Sequence, residues 1–238
     1  MSQPFAVFDI DGTVIRWQLY HAMVDALLHQ GYIDPQRFEA VRIARMNWKR
    51  RVGTDSFKEY ETELVAVFDE ALKGLPVNMV EMAAQTVFGE YKEQVYAFTR
   101  DLIHKLQQEG YLLFIISGSP SLIVKKLAEH YNFDDYAAAD YIEQNGYFTG
   151  EQKLTIGRKG VLLQELITKH KLDGKGSIGV GDSEGDIAML EQCERPIAFN
   201  PSKILFEHAQ QHAWEIVVER KNVIYRLQSK NGDYRLES

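Results

Sequence analysis

Two aspartates, Asp9 and Asp11, stand two residues apart behind the apolar run Phe5-Ala6-Val7-Phe8 and just before Gly12. On an extended backbone, residues two apart point the same way, so both carboxylates aim at one spot, and glycine lets the chain turn immediately afterwards. Like charges held that close call for a cation or a shared proton. A second acidic pair, Asp182 and Asp186, follows another apolar run, Ser177 to Val180, within Gly181-Asp182-Ser183-Glu184-Gly185-Asp186. A third run, Tyr111 to Ile116, delivers Ser117-Gly118-Ser119-Pro120 ahead of a helical stripe, and small residues before a helix N-terminus bind anions. Lys159 opens a further helical stripe. Singly, each has a plain structural reading: a hydrated Asp-x-Asp-Gly turn, a serine cap, a solvated lysine, an acid favoured at a helix start. Assembled, they point to one site.

The elements that must position these residues can be read from periodicity. Phe5 to Phe8 has no polar face, which suits a central parallel strand covered on both sides. Four helical segments follow without a strand among them. Leu19, Met23, Ala26 and Leu27 make the first stripe, ended by Gly31. Asp34-Pro35 starts the second as N-cap and first-turn proline, and Gly53 stops it. Thr54, Asp55 or Ser56 caps the third, and Asn78 caps a fourth from Met79 to Phe88. Such an all-helical stretch, placed after a strand that needs parallel partners, predicts an inserted cap. Helix and strand then alternate: a helix from Gln94 to Glu109, the Tyr111 strand, a helix from Ser121 to His130, and a hairpin around Asn145-Gly146. The helix Val161 to His170, the Ser177 strand, a helix from Ile187 to Cys193 and two further strands bring the chain to a terminal hairpin about Asn231-Gly232. The predicted fold is α/β, a doubly wound, Rossmann-like parallel core of residues 1–15 and 92–238 with an all-α helix-bundle cap, 16–91, inserted between the first and second motifs.

Asp9-Ile10-Asp11-Gly12-Thr13, the strand ending in Ser117-Gly118, Lys159 at a helix start and Gly181 to Asp186 after a strand resemble, in order, the four motifs of the haloacid dehalogenase-like hydrolases. The helical insert, Ser117 to Pro120 and Asn200-Pro201 are similar to the phosphoserine-phosphatase-like branch. The resemblance implies a Mg²⁺-dependent phosphomonoesterase. A phosphomonoester dianion repels nucleophiles, so its oxygens must be neutralised while an attacking group is presented in line. Asp9 is the expected nucleophile, forming an aspartyl-phosphate, and Asp11 the general acid and base. Asp9, the Asp11 main-chain carbonyl and Asp182 are the expected Mg²⁺ ligands, with Asp186 positioning Lys159 or a metal-bound water. Ser117 and the Gly118 amide would hold phosphoryl oxygens, Lys159 would neutralise charge, and Thr13 would hold the Asp9 loop.

Substrate is the less legible part. The glutamate that phosphoserine phosphatases carry shortly after the first motif is missing: the first acid after Asp11 is Asp25, and Arg16, Trp17, Gln18 and Tyr20 fill the early positions. No arginine for a substrate carboxylate occurs from Phe57 to Leu64, and Gly185 replaces an asparagine of that branch. A small phosphorylated metabolite other than phosphoserine is therefore expected, with Gln18, Trp17, Tyr20 and Trp48 as candidate contacts in the cap. A phosphotransferase using the same aspartyl-phosphate and a catalytically silent phospho-ligand binder remain alternatives.

A net charge of −7 leaves no basic footprint for nucleic acid or an anionic membrane, and no window approaches a membrane span. One cysteine, Cys193, excludes an internal disulfide framework and reads as packing. With no leader-like stretch before the first strand, a cytoplasmic monomer or homodimer is expected. His21, His29, His104 and His130 fall on predicted helices without paired ligand spacing, so surface or boundary roles are expected for them.

Overall fold

Phe5–Phe8 forms the first strand, and all four residues are fully buried. In chain order the elements of this computed structural model are β1 (Phe5–Phe8), α1 (Leu19–His29), α2 (Pro35–Arg50), α3 (Ser56–Leu72), α4 (Val77–Tyr91), α5 (Ala97–Gln108), β2 (Leu112–Pro120), α6 (Ser121–His130), β3 (Asp135–Gln144), β4 (Tyr147–Lys153), α7 (Lys159–His170), β5 (Ile178–Gly181), α8 (Ile187–Leu190), β6 (Arg195–Phe199), α9 (Lys203–Gln211), β7 (Glu215–Arg220), β8 (Val223–Lys230) and β9 (Asp233–Leu236). The structure describes residues 3–53, 56–153, 157–230 and 233–236. Thr54 and Asp55, offered as caps, and the Asn231-Gly232 turn lie outside them.

Among the described residues the strands lie in the order β4-β3-β2-β1-β5-β6-β7-β8-β9, parallel from β3 to β7 and antiparallel in the remaining pairs. This is the expected α/β class, with helices inserted between β1 and β2. β1 has β2 and β5 as parallel neighbours, which explains its lack of a polar face. Phe5 and Val7 face a core with Phe114, Ile116, Leu163, Met189 and Leu190, while Phe8 turns the other way to meet Phe133 edge-on at 5.8 Å. Cys193 is buried in the same core, as expected of a packing residue, and burial pushes its thiol up to about 12.

The chain divides into two compact units. The first holds Met1–Trp17, Tyr91–Ala139 and Leu154–Ser238. Here α5 starts three residues later than the periodicity suggests. Residues 94–96 are instead drawn into backbone bonds with the segment after β1, Arg16 N to Gln94 O and Tyr96 N to Val14 O. The first free amides of α5 are then capped from β7, Ala97 N and Phe98 N donating to the Glu219 carboxylate at 3.2 and 2.9 Å. Glu219→Ala should therefore lower stability by about 1–2 kcal/mol, seen as a lower urea midpoint at unchanged slope. The expected helix from Ile187 ends at Leu190 because Gln192 N and Cys193 N bond three residues back and tighten the turn.

The second unit holds Gln18–Glu90 and Asp140–Lys153. Asp34 caps α2 as predicted, accepting from Gln36 N at 2.9 Å. The helix stops at Arg51 rather than Gly53: Arg51 takes a left-handed conformation (φ 55°), and the Arg51 and Val52 amides close onto Trp48 O and Asn47 O. Asn78 is not the cap of α4, which already begins at Val77 with its amide bonded to Gly146 O. Asn145 and Gly146 both have positive φ, 53° and 81°, the conformation a two-residue hairpin demands. The hairpin belongs to this unit through polar groups on its strands: Tyr141 Oη donates to Asp69 at 2.9 Å, Gln152 Nε2 donates to the same carboxylate, and Tyr20 bonds to Tyr141. His21 departs from expectation. It is fully buried, with Nδ1 2.6 Å from the Tyr60 hydroxyl and Nε2 3.0 Å from Asp25.

Candidate active site

Asp9 lies one residue past β1, at the carboxyl end of a strand in the middle of the sheet, where open α/β sheets bind ligands. Its amide donates to Val180 O at 3.0 Å. The carbonyl of Ile10 then collects the amides of Thr13, Val14 and Ile15 at 2.9–3.2 Å, bending the chain into a tight turn. Gly12 sits in that turn at φ +83°, and a Cβ there would overlap Oδ2 of Asp182. Glycine thus makes both the turn and the close approach of a second carboxylate possible. Thr13 reaches Asp182 Oδ1 at 3.5 Å, while its carbonyl accepts from the buried Thr99 hydroxyl at 2.9 Å.

Lys159, the first residue of α7, sends its ammonium into the same place. Nζ donates to Asp9 Oδ1 at 2.6 Å and to Asp186 Oδ1 at 2.5 Å, and all three residues are buried. The other oxygen of Asp186 accepts from Asp182 N, Ser183 N and Ser183 Oγ at 2.9–3.1 Å. Asp186 therefore fixes the loop after β5 and the lysine together. Oxygens of Asp9, Asp182 and Asp186 lie within 4.8 Å of one another.

The electrostatics follow from burying several acids around an ammonium. Burial raises Asp9 most; Lys159 opposes it, Asp186 and Asp11 reinforce it, and the outcome is about 7. Asp182 is held well above the usual carboxylate range by burial and then by the charges of Asp9 and Asp186. For Lys159 burial alone would lower the value, but the charges of Asp186 and Asp9 outweigh it and keep the ammonium protonated. A site of carboxylate oxygens with this excess of negative charge fits a hard divalent cation, whose charge would return Asp9 to the carboxylate form.

The third strand end supplies hydroxyls. Between the paired positions Ile116↔Ala137 and Pro120↔Ala139, β2 advances four residues while β3 advances two, so Ser117-Gly118-Ser119 bulges out of the ladder. Ser117 Oγ lies 3.3 Å from Asp11 Oδ2, and Ser119 Oγ donates to the same oxygen at 2.6 Å. Sequence reading gave Ser119 no role. No local signal marks it, because its approach to Asp11 arises at the bulge, whose register is set by pairing with β3. Gly118 is half-buried between them. The structure thus gathers Asp9, Asp11, Thr13, Ser117, Lys159, Asp182 and Asp186, seven of the residues singled out in sequence, within the first unit. Gln18 belongs to the second unit, where it precedes α1 and its carbonyl accepts from Ala22 N at 3.1 Å.

Comparison with known proteins places this geometry. The family model described as haloacid dehalogenase-like hydrolase matches residues 6–191, more than three quarters of the chain. A phosphoserine phosphatase of Archaeoglobus fulgidus is 26% identical over 203 residues, 84% of this chain and 53% of that protein. One from Methanocaldococcus jannaschii is 22% identical over 220 residues, 91% of this chain and 92% of the other. The chain thus spans about half the length of the first relative and nearly all of the second. A solved structure of a protein of unknown function from Bordetella pertussis Tohama I shares the fold, with a TM-score of 0.75 at 20% identity over 91% of this chain and 98% of that one.

Proposed function

Since this chain belongs to the haloacid dehalogenase-like hydrolase family, we propose that it is a Mg²⁺-dependent phosphomonoesterase that carries the phosphoryl group on Asp9. The observation that carries the reading is the meeting of Asp9, Asp182 and Asp186 around the Lys159 ammonium, with Asp11 held beside them by hydroxyls of β2. Asp9 attacks phosphorus, the ester bond breaks, and the departing alkoxide takes its proton from Asp11. Asp11 then removes a proton from water, whose oxygen attacks phosphorus, freeing Asp9 and inorganic phosphate. Ser117 Oγ and the Gly118 amide hold phosphoryl oxygens, and Lys159 balances the charge that develops there. Thr13 steadies the loop between Asp9 and Asp182, and Asp186 positions Lys159. Asp9, Asp182 and the Asp11 carbonyl would hold the cation, with Asp186 beside them. The cation's chemistry is to neutralise phosphoryl oxygens and keep Asp9 ionised.

The substrate in this reading is a small phosphorylated metabolite other than phosphoserine, with Gln18 among the residues that recognise it. Its support is the missing acid between Asp11 and Asp25 and the missing arginine from Phe57 to Leu64. The two archaeal relatives named as phosphoserine phosphatases make phosphoserine the compound to test against it. Phosphate release from a panel of phosphomonoesters, phosphoserine and p-nitrophenyl phosphate included, should require Mg²⁺ and stop in EDTA. Release that persists in EDTA would sink the metal assignment, and phosphoserine as the best substrate would sink the specificity. Added alcohols that divert the phosphoryl group from water would favour a phosphotransferase instead.

A further inference from the structure

Asp11 has to give up a proton and later recover one without leaving its place, and of the two β2 hydroxyls on its Oδ2 the nearer belongs to a residue outside the four motifs' expected roles. Ser119 Oγ lies 2.6 Å from Asp11 Oδ2, against 3.3 Å for Ser117 Oγ. Ser119 is 1% exposed, so bulk water does not compete for its hydroxyl. The bulge between Ile116 and Pro120 is what turns this side chain out of the ladder toward Asp11. Its own amide donates to Ser117 Oγ at 3.0 Å, which ties the two serines into one unit.

We propose that Ser119 is a positioning residue that holds the Asp11 carboxyl in the orientation from which it exchanges protons with the ester oxygen and with water. The inference rests on the phosphatase reading above. A hydroxyl is both donor and acceptor, so Ser119 can donate to the carboxylate and turn to accept from the acid, and the Asp11 geometry survives both halves of the cycle. Ser117 cannot serve alone. Its hydroxyl is the one drawn to a phosphoryl oxygen, whereas Ser119 Oγ keeps its 2.6 Å bond to Asp11 Oδ2. Misplacing a general acid by a fraction of a bond length forfeits part of a contribution of about 10²–10⁴-fold.

Two esters of nearly the same shape separate this role from a structural one. Phenolate is a far more basic leaving group than p-nitrophenolate and depends correspondingly more on proton delivery from Asp11. The quantity to measure is kcat/KM, which reports the steps through leaving-group departure. With Ser119→Ala, kcat/KM for phenyl phosphate should fall about 10-fold or more, while that for p-nitrophenyl phosphate falls less than about 3-fold. Ser119→Thr, which keeps the hydroxyl, should restore the ratio of the two. If Ser119→Ala does not fold, Ser119→Cys, with similar volume and a weak donor, is read in the same way. Equal losses on both esters, or no loss on either in a folded variant, would overturn the role of Ser119. A wild-type protein that releases phosphate from no ester of the panel above would overturn the phosphatase reading beneath it.

Discussion

Asp9→Asn is expected to lower phosphate release by at least about 10³-fold, because no other group can then accept the phosphoryl. It should also make the cation-free protein more stable at pH 8. Asparagine keeps an oxygen for the Lys159 ammonium, now 2.6 Å from Asp9 Oδ1, and leaves Lys159 bonded to Asp186, so the local geometry has its partners. What disappears is a buried charge. Burial above all, together with Asp186 and Asp11, raises Asp9 from 3.8 to about 7 against the pull of Lys159. Between those values the folded chain binds a proton that the unfolded chain has released. The stabilising contribution is thus full below the unfolded value and lost as pH rises through about 7. At pH 8 the parent bears the whole cost, and near pH 4 it bears none. Thermal unfolding in EDTA should therefore show an Asp9→Asn advantage at pH 8 that closes toward pH 4, and Mg²⁺ should narrow it by favouring the carboxylate of the parent. Undiminished turnover in Asp9→Asn would remove Asp9 as nucleophile; an advantage independent of pH would mean the raised Asp9 value is not what separates the two proteins.

The strands that hold this site were legible because their cause is local. Phe5 to Phe8 reads as a doubly covered strand from four consecutive apolar residues, and that is where it lies, between β2 and β5. Asn145-Gly146 reads as a two-residue turn because the positive φ values it needs are cheap for those residues. Features set by distant partners were not legible. The start of α5 is fixed by Glu219, more than a hundred residues away, and that of α4 by a carbonyl of the hairpin tip. His21 looked like a boundary residue because nothing near it in sequence announces Tyr60. The same division runs through the site. Each carboxylate was visible at a strand end, but the Ser119 bond to Asp11 depends on a bulge whose register is defined by β3. The grouping of residues 140–153 with the helices likewise depends on Asp69, which lies on α3 and receives Tyr141 and Gln152.

Removing the ammonium at the centre should be as damaging to stability as to turnover. Lys159→Met keeps much of the side-chain volume and its apolar stem, so the change is chiefly the loss of charge. Asp9 and Asp186 would then lose the donor that stands 2.6 and 2.5 Å from them, and breaking a buried pair from one side typically costs about 3–5 kcal/mol. Loss of the charge facing a transferring phosphoryl group adds a fall in kcat/KM of at least about 10²-fold. The two effects can be told apart with a second variant. If the instability of Lys159→Met arises from stranded carboxylates, Asp186→Asn on the same chain should recover part of it, because a neutral amide needs no ammonium. Urea unfolding of the two single variants and the double one should then show a coupling of about 1–3 kcal/mol, with the double less destabilised than the sum. Activity should not return with stability, since Asp186→Asn supplies no cation to the phosphoryl group. Strict additivity would place the instability elsewhere, in the packing of the lysine stem at the start of α7, and would leave the charge balance of the carboxylates without the central part assigned to Lys159.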